Sequence, residues 1–514
     1  MNYYIISISI YALIVLLFYF FSKKKNTFQT QTTWWKNGFS LFAVNFSITT
    51  PLVYSGVLHT EGVSGLWLFW CAYAISGFLP FVFAPLWAKL NFVTDNQFLL
   101  FRFSGKGAKA LHIFRTIYVG WIIVAFLMSF QLLALLKVIT YITGWEREIA
   151  LMIISFVLIL IALKNKLGIN IELDFFNTVF IIICFVGVLI CLMFLPKTEP
   201  SQKIIELHPI FPSNKLNLLV LFFVQTWSVN LFDGSGIEAQ RFFSTKNKSN
   251  VWKVAFLSSA LALLFSLVVL LINYLGANKF GSPNLADQEM NVLFYLQNGL
   301  PNWFTPIIFI AFLAAFITSF EGLLNWGASF LSIDGYKTYI NPKISAKKLT
   351  RVSILSMLFI VCTSLLITYF NDNLTILIKV FFSISAGVAP VFVLRWFWFR
   401  INAWSQLSAM LSSGIYTLLY QSFVKNMDLE QLILKITTLN QYSIQLITIT
   451  SLTTVTWVCI TFLTKKDDKQ TLEDFKNQVL KGYNLKKSIS KAITFGCSLI
   501  LILYLIVKII NNVW

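Results

Sequence analysis

The stretch Ser40-Leu41-Phe42-Ala43-Val44-Asn45-Phe46-Ser47-Ile48-Thr49-Thr50-Pro51 is an apolar helix that runs into a residue helix interiors reject. Proline lacks the amide hydrogen an interior turn needs, and its ring clashes with the turn before it. A second stretch, Asn230-Leu231-Phe232-Asp233-Gly234-Ser235-Gly236, puts a carboxylate and two glycines in the middle of another apolar run. Neither suits an unbroken helix facing lipid. Backbone freed from helical bonding is tolerated at membrane depth only where it is buried or lines a cavity. The breaks lie about 180 residues apart, each heading a group of about five apolar runs, and an odd number of spans per group turns the second group upside-down relative to the first. The pattern predicts an inverted-repeat secondary transporter with its sites at the breaks.

The rest of the chain agrees. Its 514 residues are 57% hydrophobic and 12% charged, with 51 Phe and a mean hydropathy of +0.74. A soluble protein carries roughly twice that charged fraction. Apolar runs recur from about 3–21 to 488–511, and about 14 helices of about 20 residues each leave no room for a large soluble domain. The expected fold is an all-α integral membrane protein with about 14 transmembrane helices. It divides into an extra N-terminal helix in 1–25, a first five-helix repeat in 34–195, an inverted second repeat in 216–400, and three C-terminal helices in 401–514. A charged loop at 465–487 interrupts the last part; Phe475, Val479 and Leu480 make one apolar face there, read as a short helix on the membrane surface.

The net charge of +19 would suggest nucleic acid in a soluble protein. Here it sorts by loop: about 28 Lys and Arg fall in loops assigned inside and about seven outside, Lys197 and Lys279 among the latter, which is the positive-inside asymmetry. With 14 spans both termini lie on the outer side of the cell (inner) membrane. Ser22-Lys23-Lys24-Lys25 follows the first apolar run, whereas a signal peptide carries its positive charges before it, so that run reads as a retained helix. The six cysteines lie in apolar runs and the three histidines (His59, His112, His208) are scattered. Neither a disulfide framework nor metal-centred catalysis is indicated, and no enzyme is expected.

Five local motifs, in order, resemble the sodium:solute symporter family. They are Ser40–Ser47; Thr94-Asp95-Asn96-Gln97 through Arg102-Phe103; Gln240-Arg241 through Lys246; Asp334-Gly335-Tyr336-Lys337; and Gly387 through Pro390 with Trp398, Arg400 and Asn402. The resemblance implies a ten-helix LeuT-type core flanked by one N-terminal and three C-terminal helices. It implies sodium-coupled import of a small polar organic solute by alternating access, with Na+ as the coupling ion. Membrane lipid is the expected surroundings, nucleic acid is not a partner, and a monomer suffices.

In that family one sodium sits between the first break and the eighth core helix. The ligands implied here are the carbonyls of Ala43, Phe46 and Ala315 and the hydroxyls of Thr318 and Ser319. Sodium is a small hard cation, and neutral oxygens suit it. Asp174 matches an acidic residue linked to sodium release or to a further sodium. Solute candidates at the breaks are Asn45, Thr49, Thr50, Ser228, Phe232 and Asp233. Sugar-carrying members place a Gln and an acid where this chain has Thr50 and Ala72, which argues against a sugar site of that type. Two readings of Asp233 stay open: a charge for the solute or an ion, and a cap on the half-helix after the break. Glu321 is read as pairing with Lys379 or Arg395. A transporter-like sensor, and a proton-coupled or facilitative carrier of the same fold, are the alternatives.

Overall fold

The computed structural model describes residues 31–164, 171–195, 209–228, 233–281, 287–423 and 439–513. The expected N-terminal helix in 1–25 and the candidate Phe232 lie outside these residues. The described chain is helical, without β-strands, and has one isolated bridge between Thr32 and Thr245. Nine of its helices are long and apolar enough to cross a membrane, and a bent pair makes a tenth. The 18-residue helix Arg147–Lys164 is not among them because it carries three charges, Arg147, Glu148 and Lys164.

The bent pair is the first break. Helix α1 (Trp34–Asn45) and helix α2 (Thr49–Gly65) meet at 51°. α1 stops because Phe46 turns extended, with φ −86° and ψ 97°. Ser47 then starts α2: its hydroxyl accepts from the Thr49 amide at 3.2 Å and its carbonyl from the Thr50 amide at 3.1 Å. The break therefore lies at Phe46–Ile48, ahead of Pro51. Pro51 is the third residue of α2, where an amide has no intrahelical partner to lose. Proline marks the start of the second half-helix rather than the end of the first.

From there the chain runs through Trp67–Trp87 (α3), Gln97–Arg102 (α4), Gly105–Thr143 (α5), Arg147–Lys164 (α6) and Ile171–Phe194 (α7). The second break follows. Lys215–Phe223 (α8) tightens into a 3₁₀ turn at Gln225–Trp227, and the next helix among the described residues is Ile237–Phe243 (α9). Gly234 (φ 69°) and Gly236 (φ 89°) hold left-handed backbone between them, which other L-residues adopt only under strain. Then come Lys248–Phe280 (α10), Asn291–Gly299 (α11), Thr305–Ile340 (α12), Ala346–Tyr369 (α13), Leu374–Leu394 (α14), Ala403–Ser422 (α15), Gln441–Leu463 (α16), Lys469–Phe475 (α17) and Leu485–Val513 (α18).

The chain forms two compact units, each drawing on both halves of the sequence. The first comprises Met1–Gly62, Val119–Glu206 and Ser244–Thr375. Its centre is aromatic: Phe46 packs edge-on against Phe265 (4.8 Å) and Phe185 (5.8 Å), and Phe185 meets Phe312 at 5.9 Å. At one end Asn37 Nδ2 donates to Thr245 Oγ1 at 2.9 Å, tying the start of α1 to the segment after α9. At another, Lys137 pairs with Asp287 (2.6 Å) and Glu289, and Glu289 also accepts from the Thr375 amide at 2.9 Å.

The second unit comprises Val63–Tyr118, Leu207–Phe243 and Ile376–Trp514. Here the α8 end is pinned by side chains to α3: Gln225 Nε2 donates to Leu68 O at 3.1 Å and Thr226 Oγ1 to Cys71 O at 2.8 Å. The loop around α17 does not present its apolar face to a membrane surface. Phe475 and Val479 are fully buried in this unit. Lys89 Nζ donates to Val479 O at 2.7 Å, and Tyr483 OH to Phe81 O at 3.1 Å.

Candidate functional site

Three helices of the first unit build the first-break site. The last turn of α1 ends in carbonyls without intrahelical partners, which is what termination at Asn45 leaves behind. α12 packs close to it: a Cβ on Gly322 would stand 2.9 Å from the Val44 side chain, so a larger residue there would push the two helices apart. On α12, Ser319 Oγ donates within reach of Ala315 O (2.7 Å) and Gln131 Oε1 (3.0 Å). Its hydroxyl hydrogen is thus directed into the protein and its lone pairs stay available. Ala315, Thr318 and Ser319 are all buried, as are Ala43 and Phe46. These five residues supply only neutral oxygens, from a helix end on one side and a hydroxyl pair on the other. That donor set fits a sodium ion and would serve a divalent cation, which favours carboxylates, poorly.

α7 braces the set. Asn177 Nδ2 donates to Thr318 Oγ1 at 2.8 Å, and Thr178 Oγ1 to Phe39 O at 3.2 Å. Asp174, 6% exposed, accepts from Ser40 Oγ at 2.5 Å, so the acid at the head of α7 is tied to α1 one turn before Ala43. Sequence reasoning missed Asn177 and Gln131. Asn177 lies one turn after Asp174, and Gln131 is the single amide in the run Val124–Val138; those were the available signals. Because Asn177 orients the Thr318 hydroxyl, Asn177→Ala should cost about 1 kcal/mol of cation affinity, roughly a fivefold rise in half-saturating sodium. Titrating the thermal midpoint of the purified protein with NaCl at constant ionic strength measures it.

The solute candidates divide between the units. In the first, Asn45 is exposed at the break, while Thr49 and Thr50 are half-buried; Thr49 Oγ1 and Ser47 Oγ share a hydrogen bond. In the second, Ser228 is buried and donates to Gln225 O at 2.6 Å.

Asp233 is fully buried and every lone pair of its carboxylate is engaged. Oδ1 accepts from the Ser235 amide at 3.1 Å and from the Ser235 hydroxyl. Oδ2 accepts from Arg395 Nε at 3.0 Å, from Arg395 Nη2, and from Trp396 Nε1 at 2.9 Å. Of the two readings left open by the sequence, the bond from the Ser235 amide is of the capping kind, and the charge, read there as serving a solute or an ion, faces Arg395. Arg395, offered by the sequence as a partner for Glu321, commits its guanidinium to Asp233 and to Gln406 Oε1 at 3.0 Å. Two further buried pairs sit in the same unit, Arg115 with Asp95 at 2.5 Å and Arg102 with Asp467 at 3.5 Å. Burial draws the Arg102 guanidinium down to about 10, Asp467 opposing and Arg395 adding to the shift; burial likewise pushes the Asp467 carboxyl up.

Two interrupted helices, one ending in neutral oxygens and one clamped by a buried ion pair, define a membrane transporter of the broken-helix class. The sodium:solute symporter family profile matches residues 29–413, well over half of the chain, and the chain belongs to that family. Its members are transporters rather than enzymes, and their coupling ion is sodium. The chain is 29% identical over 163 residues to the osmoregulated proline transporter OpuE of Bacillus subtilis (strain 168), a match covering 31% of this chain and 33% of that protein. It thus spans about a third of the length of the curated relative it matches. The structure is similar to that of a Na+-coupled sialic acid symporter in a substrate-bound outward-open state, with a TM-score of 0.70, 16% identity, and coverage of 91% of this chain and 99% of that one.

Proposed function

We propose that this protein imports a small polar organic solute together with sodium, by alternating access, as a monomer in the cell (inner) membrane. The observation that carries the reading is the neutral oxygen set at the first break. Ala43 on α1, Phe46 just after it, and Ala315, Thr318 and Ser319 on α12 hold the ion. Its binding joins the end of one half-helix to α12 and favours the conformation in which both are together. The solute-contact candidates are Asn45, Thr49 and Thr50 at the first break and, in the second unit, Ser228, Phe232 and Asp233. Asp174 releases or guides the ion from its place beside Ser40. A thermal-shift screen against amino acids, sugars and carboxylates, in NaCl and in KCl, tests this. A ligand present at a hundred times its Kd stabilises by about 2.7 kcal/mol. A solute-dependent shift that appears only in NaCl is expected, followed by sodium-dependent uptake into vesicles. Equal uptake in sodium-free buffer would point to a proton-coupled or facilitative carrier instead.

The 14-span orientation has its own test. Lys279, an outside-loop lysine by the sequence, is buried with its ammonium on Leu195 O, so it makes a poor labelling site. Glu146 and Asn302 are exposed in loops assigned outside, Lys246 and Lys347 in loops assigned inside. Single cysteines at the first two should react with a membrane-impermeant maleimide on intact cells, and those at the other two only after permeabilisation. Labelling of Lys246→Cys in intact cells would invert the arrangement.

A further inference from the structure

The charged loop that contains α17 reaches the residues that hold the second break. Phe475 enters an aromatic box made by Phe98 (ring centroids 6.0 Å), Phe101 (5.9 Å), Trp396 (6.1 Å) and Phe399 (6.5 Å), with the Arg102 guanidinium over its ring at 5.2 Å. Trp396 also meets Phe98 at 4.6 Å and, edge-on, Trp87 at 5.0 Å, and both indoles donate to Asp233: Trp396 to its carboxylate, Trp87 to its carbonyl. A second line runs in parallel. Asp467 accepts from the Ser104 amide at 2.8 Å and faces Arg102, and Arg102 Nε donates to the carbonyl of Arg395 at 2.7 Å. Asn402 Nδ2 fastens the beginning of the loop at Thr464 Oγ1 (2.8 Å) and Lys465 O (2.9 Å), and Lys89 and Tyr483 fasten its end.

We propose that this loop, Thr464–Tyr483, is a strap that positions the broken helix at Asp233, with Phe475 acting through Trp396 and Asp467 through Arg102. The argument is one of restraint. Trp396 and Arg395 are neighbours on one turn, and between them they make three hydrogen bonds to a single carboxylate. A shift of either by an ångström would lengthen bonds that weaken steeply with geometry. The end of α14 holds the two backbones, Arg395 N donating to Val391 O at 2.9 Å and Trp396 N to Val393 O at a longer 3.4 Å, but these bonds do not fix the two side chains. The strap adds restraint from outside α14: Phe475 packs against the Trp396 ring, and Arg102 carries the Asp467 contact to the Arg395 backbone. The strap is a positioning element: neither Phe475 nor Asp467 is among the residues that touch Asp233. Its bearing on transport rests on the reading given under Proposed function, while the linkage itself does not.

Hydrogen–deuterium exchange of the full chain in nanodiscs is the test, because it needs neither the solute nor sodium. In Phe475→Ala the amides of 233–243 should exchange about tenfold faster, while those of α10 and α12 in the first unit keep their wild-type rates. Phe475→Leu, which refills most of the box, should restore most of the protection. Asp467→Asn should raise exchange at 233–243 by a smaller factor. Faster exchange confined to 464–484 in these variants would overturn the proposal. If Phe475→Ala does not fold, Asp467→Asn decides: unchanged exchange at 233–243 in that variant overturns it.

Discussion

Asp233→Asn is expected to leave little folded protein. Asparagine keeps a carbonyl oxygen for the Ser235 amide, so the capping half of the role survives. The other half is lost, because the side-chain NH2 would point at Arg395 and Trp396, which are themselves donors. Removing one partner of a buried pair costs about 3–5 kcal/mol, since the other charge is left without compensation. Against a total stability of about 5–15 kcal/mol that is a large fraction. Arg395→Gln should be comparably damaging. The double variant Asp233→Asn/Arg395→Gln should be less damaging than the sum of the two, as a Gln carbonyl can accept from the Asn amide in a site that no longer holds a charge. Monodisperse yield and thermal midpoint of the three variants, measured by fluorescence-detected gel filtration, give the comparison. An Asp233→Asn protein as stable as wild type but unable to transport would reassign the carboxylate to the solute.

Thr318→Ala/Ser319→Ala should abolish useful sodium binding without unfolding the chain. The two hydroxyls are buried, but what they bond locally can be met otherwise: Ser319 donates to a carbonyl of its own helix, and Thr318 accepts from an amide. In the proposed sodium site they are two of five oxygens. A hydrogen bond or dipole to a charged group is worth about 1.5 kcal/mol or more, so losing both should raise half-saturating sodium about a hundredfold. Ser319→Thr keeps the hydroxyl and should lie near wild type only if the added methyl fits beside Gln131. Sodium-dependent thermal shift and vesicle uptake across a NaCl series read the effect, and an unchanged sodium dependence would remove these residues from the site.

The breaks were legible because they are local. Gly234 and Gly236 announce left-handed backbone whatever surrounds them. The misplacement of the first break came from treating Pro51 as an interior residue; a proline in the first turn costs nothing there, and the signal that mattered was Ser47 two residues before Thr49. Partners far apart in sequence were another matter. Asn177 meets Thr318 across 141 positions and Arg395 meets Asp233 across 162, and no pattern of period 3.6 carries that information. The apolar face of Phe475 and Val479 was visible, but lipid and a protein groove select the same face. Only the residues opposite it, Phe98 and Trp396 among them, separate the two.

The clamp at the second break also sets an order of events during synthesis. Asp233 leaves the ribosome 162 residues before Arg395, the side chain that neutralises it. At about 5–20 residues per second, that gap lasts roughly ten to thirty seconds. Through that interval a helix carrying a carboxylate and two glycines has no counter-charge, and it is a poor candidate for release into the bilayer on its own. Asp467, which steadies the arginine side of the clamp through Arg102, arrives later still. Biogenesis of this chain should therefore depend on an insertase that retains the half-formed helix until its C-terminal partners emerge, and ribosome stalling between the two codons should expose it to membrane quality-control proteases.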